Sequence, residues 1–146
     1  MIVYLDSSAL VKRYILEQSS AEVDQLVSAA EQVGTAIISL AEVSAALSKA
    51  ARLRWIEQAE ALKALAVFQS QWASLFRLHI RETTVARADA LAWTHHLRGY
   101  DAVHLACALL WQEAVGEAVT LATFDEPLQA AAAGAGLAVW PETGPS

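Results

Sequence analysis

Several features are scarce in this chain of 146 residues, and each scarcity excludes a class of protein. The single cysteine, Cys107, cannot form an internal disulfide, and its apolar, helix-like surroundings predict a small core residue. No uninterrupted apolar run approaches the ~20 residues that a membrane span needs. No basic segment precedes the short apolar run at the N-terminus, so we expect no signal peptide, no membrane partner and a cytoplasmic location.

Lysine and arginine are also absent after Arg98, although acids continue to Glu142. By itself, the formal net charge of −6 argues only mildly against a nucleic-acid partner, because phosphate binding favours Lys and Arg. Part of this negative charge could instead form a cation site, which a bound metal ion would neutralise. A Walker A motif is absent, and Gly134 and Gly136 do not form a dinucleotide fingerprint, because they lead from a helix into a strand.

Short apolar runs alternate with longer helix-like stretches along the chain. The pattern predicts strands over residues 2–5, 35–38, 76–80, 118–124 and 137–140. It predicts helices over residues 8–33 with a break near 17–20, then 39–53, 55–75, 83–97, 102–115 and 127–133. Gly34 suits a helix C-cap in this interpretation.

Strands separated by helices predict an α/β domain. We expect three layers, with a central, mainly parallel sheet and helices on both faces. The chain is long enough for one domain, over residues 1–140, and residues 141–146 are expected to be a C-terminal tail.

Four acids occupy similar places in this pattern. Asp6 follows the first strand, Glu42 lies one turn into the helix after the second, and Asp125 follows the strand 118–124. Asp101 opens the strongly apolar helix 102–115. Ligands of open α/β sheets bind outside the carboxyl ends of the strands, so these side chains are expected to converge there.

Each acid also has a purely structural interpretation. Asp is a preferred helix N-cap, which would account for Asp6, Asp101 and Asp125 one at a time. Ser39-x-x-Glu42 fits a capping box, in which Glu42 would reach back to the backbone of Ser39. Four carboxylates at one edge repel one another unless a cation compensates them. Hard divalent ions take oxygen ligands, so the cluster is consistent with a Mg²⁺ or Mn²⁺ site that activates water for attack on a phosphodiester.

Four segments together resemble the PIN-domain ribonucleases, and in particular the VapC-type toxins of toxin–antitoxin pairs. They are YLDSSALVK at 4–12, Ser39-x-x-Glu42, YDAVHLA at 100–106 and ATFDEPL at 122–128. The resemblance implies Asp6, Glu42, Asp101 and Asp125 as the catalytic, metal-binding acids. It implies Thr123 as a supporting polar residue. It also implies RNA cleavage that depends on Mg²⁺ or Mn²⁺, a homodimer and a cognate antitoxin.

Two other functions remain open at this point. One is a catalytically silent PIN-like binding module, whose acids cap helices and hold a structural cation or a basic peptide. The other is a DNA-directed or structure-specific nuclease.

Three further groups of residues are assigned outside the site. His104 lies one turn after Asp101 and is expected to be a packed residue of the buried helix. Ser7 and Ser8 are expected to cap a helix, since no histidine partner is evident for either. The tryptophans within helices are expected to make core or dimer contacts.

Overall fold

The computed structural model describes residues 1–142 and contains one five-stranded sheet. Its strands are β1 (Ile2–Leu5), β2 (Gln32–Ala36), β3 (Phe76–Leu78), β4 (Val119–Ala122) and β5 (Ala138–Trp140). Their spatial order is β3-β2-β1-β4-β5, and every neighbouring pair is parallel. The predicted α/β architecture is therefore confirmed.

Seven α-helices connect and cover the strands in the described part of the chain. They are α1 (Ser7–Leu10), α2 (Ser20–Ala29), α3 (Ser39–Arg52), α4 (Gln58–Gln71), α5 (Glu82–His95), α6 (Gly99–Val115) and α7 (Glu126–Gly134). Two 3₁₀ turns, Val11–Arg13 and Trp72–Ser74, follow α1 and α4.

Strand β1 lies at the centre of the sheet and divides two hydrophobic cores. Ile2 and Tyr4 pack into the core under α5, α6 and α7, whereas Val3 and Leu5 pack into the core under the preceding helices. This alternation is the period-two pattern of a strand that is buried on both faces. The chain runs outward from β1 to β2 and β3, and then returns to β4 on the other side. That reversal opens a crevice at the carboxyl end of β1, where the fold class places its ligands.

The first predicted helix is shorter than expected. Residues 8–33 were expected to be helical with one break, but α1 has four residues and α2 ends at Ala29. The break itself is present, since Ser19 has a φ of 71° and α2 starts at Ser20. Ser20 Oγ accepts the Glu17 amide at 3.0 Å and donates to the Ile15 carbonyl at 3.1 Å. Such local bonds compete with helical ones and hold the chain in a turn.

Gly34 lies inside β2 instead of capping a helix, so that prediction was wrong. It pairs with Tyr4 of β1, and the strand predicted over 35–38 is shifted toward the N-terminus. A Cβ at Gly34 would lie 2.7 Å from Trp111 Cη2 and 3.0 Å from the Phe76 carbonyl. Trp111 stacks on Phe76 with 5.1 Å between ring centroids. Glycine is needed here because the indole lies directly against the backbone of the strand.

Replacing Gly34 with alanine is therefore expected to lower the free energy of unfolding by roughly 1–3 kcal/mol, as overpacked cores do. Urea denaturation of both proteins would measure the change. The matched control is Gly99→Ala, because a Cβ at Gly99 has no heavy atom within 4 Å. Equal stability of the Gly34 variant and the wild type would show that Trp111 moves aside without cost.

The remaining boundaries differ from the predicted ones mainly at element ends. The helix expected over 55–75 is α4 followed by a 3₁₀ turn, and the helix expected from residue 102 begins at Gly99.

Cys107 is buried as predicted, and burial raises the pKa of its thiol to about 11, which makes it a poor nucleophile. Within residues 1–142 no helix combines the length and apolar character of a membrane span. Most of the expected tail, residues 143–146, lies outside the described residues.

Candidate active site

Asp6 lies at the carboxyl end of β1 and is 3% exposed. Its Oδ1 accepts the Ala9 amide at 3.0 Å and the Ser8 hydroxyl at 2.7 Å, while its Oδ2 accepts the Thr123 hydroxyl at 2.5 Å. Burial raises the pKa of Asp6, and the bonds from Thr123, Ser8 and Ala9 oppose that rise. The predicted capping role therefore exists, but a cap does not account for the side-chain bonds from Ser8 and Thr123.

Thr123 connects two of the predicted acids. Its hydroxyl donates to Asp6 and accepts the Asp125 amide at 3.0 Å. Asp125 caps α7 by accepting the Leu128 amide at 2.9 Å through Oδ1. Its Oδ2 accepts a hydrogen bond from Arg98 instead. The order of strands β1 and β4, side by side in the sheet, is what brings these residues together.

Glu42 does not form the capping box that the sequence suggested. Its Oε1 lies 2.6 Å from His104 Nε2, and its Oε2 accepts the Ser7 hydroxyl at 3.3 Å. Ser39 is buried and its hydroxyl bonds to Thr35 at 2.6 Å instead. The side chain of Glu42 is 23% exposed, so the carboxylate reaches solvent from the first turn of α3.

Asp101 lies inside the first turn of α6 and does not cap the helix, contrary to that alternative. The N-cap position belongs to Arg98. Arg98 Nε donates to Asp101 Oδ2 at 2.9 Å, and Arg98 Nη2 donates to Asp125 Oδ2 at 2.9 Å. One guanidinium therefore joins two of the four acids, although the arginine side chain is 79% exposed.

All four predicted acids line one cavity of about 790 Å³, which we call the acid pocket. Arg98 and Asp89 also line it, and its apolar wall comes from α5 and α6 through Val85, Ala88, Ala92 and Val103. Five carboxylates face one arginine, so the pocket is strongly negative. A negative cavity with apolar walls concentrates cations and strengthens their binding.

The acids are not preassembled as metal ligands. Among residues 1–142, no group of three or more His, Cys, Asp or Glu side chains is arranged to hold a metal ion. Arg98 accounts for this arrangement, because it draws Asp101 and Asp125 to itself. The oxygen-only donor set still suits a hard divalent ion. The guanidinium between two carboxylates shows that the pocket accommodates positive charge.

Sequence reasoning missed three residues of this site. His104 is buried as predicted, but it also bonds directly to Glu42. Arg98 had a signal in the sequence, since it is the last lysine or arginine of the chain and lies three positions before Asp101. Asp89 had none, because it lies within an ordinary helical stretch of α5.

The serines contribute to the site by binding its acids. Ser8 Oγ donates to Asp6 and accepts the Phe124 amide at 3.0 Å, and Ser7 donates to Glu42. Neither hydroxyl bonds to a histidine, so the pattern of a serine nucleophile with its base is not present at either residue.

Known proteins of similar sequence and fold identify the family of this chain. A model of the PIN domain family matches residues 3–134. Ribonuclease VapC45 and Ribonuclease VapC49, both from Mycobacterium tuberculosis, are each 35% identical to this chain over 141 residues, which is 96% of this chain and 95% of either relative. A solved toxin–antitoxin complex from Klebsiella pneumoniae contains a chain with the same fold, with a TM-score of 0.62, 17% identity, and coverage of 84% of this chain and 86% of that one. The family match spans nearly the whole described domain, and the chain belongs to the PIN-domain family.

Proposed function

We propose that this protein is a divalent-metal-dependent endoribonuclease that acts as the toxin of a toxin–antitoxin pair. The observation that carries the proposal is the convergence of Asp6, Glu42, Asp101 and Asp125 on one negative pocket. The names of the two mycobacterial relatives, both ribonucleases, support RNA as the substrate class.

Asp6 and Asp101 are the proposed primary ligands of Mg²⁺ or Mn²⁺, with Glu42 and Asp125 completing the site. When bound there, such an ion would supply an activated water and neutralise charge on the phosphodiester. Thr123 and Ser8 hold Asp6 in place through its two oxygens. Arg98 is exposed enough to leave its carboxylate partners and to bind the phosphate backbone of RNA.

Two partners complete the proposal. The Klebsiella complex is described as a toxin with its antitoxin, which supports a cognate antitoxin that covers the acid pocket of this protein. We also propose a homodimer, since Trp93 on α5 is 86% exposed and single exposed tryptophans are favoured contacts at interfaces. The proposed location is the cytoplasm, where an RNA substrate is available.

The deciding experiment is cleavage of total RNA and transfer RNA by antitoxin-free protein, in Mg²⁺, in Mn²⁺ and in EDTA. Discrete fragments that require the metal would support the proposal. DNA of matched sequence, assayed beside the RNA, separates a ribonuclease from a DNA-directed nuclease. If the protein binds RNA or a partner but does not cleave RNA in any divalent metal, the proposed enzymatic activity is overturned and a binding module is favoured.

Arg98 is expected to compete with the metal ion, because both are cations that require Asp101 and Asp125. Arg98→Gln should therefore bind Mn²⁺ severalfold more tightly than the wild type, as measured by isothermal titration calorimetry. Arg87→Gln is the control, since Arg87 pairs with Glu113 and does not line the acid pocket. Unchanged affinity in the Arg98 variant would show that the arginine does not obstruct the site.

A further inference from the structure

His104 is hydrogen-bonded through both ring nitrogens while only 1% of it is exposed. Its Nδ1 lies 2.6 Å from the hydroxyl of Tyr4, and its Nε2 lies 2.6 Å from Oε1 of Glu42. Tyr4 belongs to the central strand β1 and is fully buried. A continuous chain of short hydrogen bonds therefore runs from the middle of the sheet to a carboxylate in the acid pocket.

The direction of these bonds follows from the chemistry of the three groups. A carboxylate only accepts hydrogen bonds, so the Nε2 atom that faces Glu42 carries the proton. In a neutral imidazole the other nitrogen is then an acceptor, so Nδ1 accepts a hydrogen bond from the hydroxyl of Tyr4. Tyr4 suits this role because its phenol O–H is a hydrogen-bond donor and its fully buried ring holds that donor 2.6 Å from Nδ1.

The same bond ties two acids of the pocket to one helix. Asp101 and His104 lie one turn apart on α6, whereas Glu42 belongs to α3. Because His104 binds one carboxylate oxygen of Glu42 and Ser7 binds the other, both the position and the plane of that carboxylate are fixed. The bond therefore links Glu42 to the helix that carries Asp101.

We propose that His104 is a positioning residue, held in one tautomer by Tyr4, that orients Glu42 for divalent metal binding in the acid pocket. The inference rests on the proposed function, since it assumes that Glu42 belongs to a metal site. Partners that orient ligating carboxylates typically change metal affinity by about 10–100-fold when they are removed.

The test compares His104→Leu with His104→Gln by Mn²⁺ titration calorimetry, and each protein is also assayed for RNA cleavage and thermal unfolding. Leucine fills the space without a donor, so we expect an affinity loss of about 10–100-fold. Glutamine keeps an N–H group that can reach Glu42, so it is expected to restore most of the affinity. A role in packing alone predicts the opposite order or no difference, because leucine is the better core residue.

Tyr4→Phe removes the hydroxyl that fixes the tautomer of His104. It should also lower the affinity for Mn²⁺, though by less than His104→Leu does. Tyr14→Phe is its control, since the hydroxyl of Tyr14 bonds to Gln71 at 2.8 Å at an exposed position. ¹⁵N NMR of the metal-free protein should show His104 protonated at Nε2, with its signal identified by its loss in His104→Gln. A ring protonated at Nδ1 would overturn the inference.

Two patterns of affinity separate failure of the inference from failure of the proposed function. Wild-type protein that binds Mn²⁺ and cleaves RNA, beside Leu and Gln variants of equal affinity, overturns the role of His104 alone. Wild-type protein that neither binds Mn²⁺ nor cleaves RNA overturns the proposed function, and the inference with it.

Discussion

Asp6→Asn is expected to lose metal-dependent RNA cleavage by on the order of 10³-fold and to keep the fold. The loss follows because a metal ion contributes several kcal/mol of charge stabilisation, and each 1.36 kcal/mol is about a factor of ten in rate. Asparagine has nearly the same shape, and its oxygen can still accept from Ser8 and Ala9. Single-turnover cleavage of the identified RNA by both proteins would measure the effect.

The same variant is expected to be at least as stable as the wild type at neutral pH. Burial raises the pKa of Asp6 in the folded state, so ionised Asp6 lowers the free energy of unfolding. Stability from this group is greatest below its unfolded pKa and is lost as the pH rises through the folded one. Asparagine does not titrate, so its advantage over aspartate should shrink in mildly acidic buffer, as urea denaturation at two pH values would show.

Asp24→Asn is the matched control for both measurements. Asp24 is exposed and pairs with Arg13 on the surface, away from the acid pocket. Full cleavage activity in Asp6→Asn, with the control equally active, would contradict the assignment of Asp6 as a metal ligand.

Phe68→Ala is expected to lower the free energy of unfolding by about 3–5 kcal/mol, the usual range for removal of a buried phenylalanine. Phe68 is fully buried on α4 and packs edge-to-face against Tyr14 and Trp72, with centroids 5.0 and 5.7 Å away. It shares a core with Val43 and Leu47 of α3, the helix that carries Glu42. Loss of this ring would therefore destabilise the fold and weaken the packing of α3, which positions Glu42 in the acid pocket.

Thermal unfolding should show a fall in Tm of roughly 10 °C, since 1 kcal/mol corresponds to ~2–4 °C in a domain of this size. Leu62→Ala, which removes an exposed apolar side chain from the same helix, is the control and should leave the Tm nearly unchanged. A fall of less than ~3 °C in Phe68→Ala would mean that α3 and α4 close over the cavity.

The fold was predictable because its signals are local. The apolar run Ile2–Leu5 and the alternation of strands with helices gave the parallel sheet directly. The position of Gly34 was not predictable, because it depends on a contact with Trp111 from a distant helix. The same limit applies to the site: acids that follow strands could be located from the pattern, whereas the bridging by Arg98 and the bond from His104 depend on side-chain geometry. The roles of the four acids in catalysis and metal binding stay predictions.

The insertion of β4 beside β1 has a consequence for synthesis of the protein. The bond from Thr123 to Asp6 joins residues 117 positions apart, and α7 with Asp125 follows later still. During translation the first strand leaves the ribosome long before its neighbour, and pairings between such distant segments form late. Asp6 therefore lacks the bond from Thr123 until the chain is nearly finished. A site built from Asp6, Thr123 and Asp125 is therefore complete only after almost the whole chain has been synthesised.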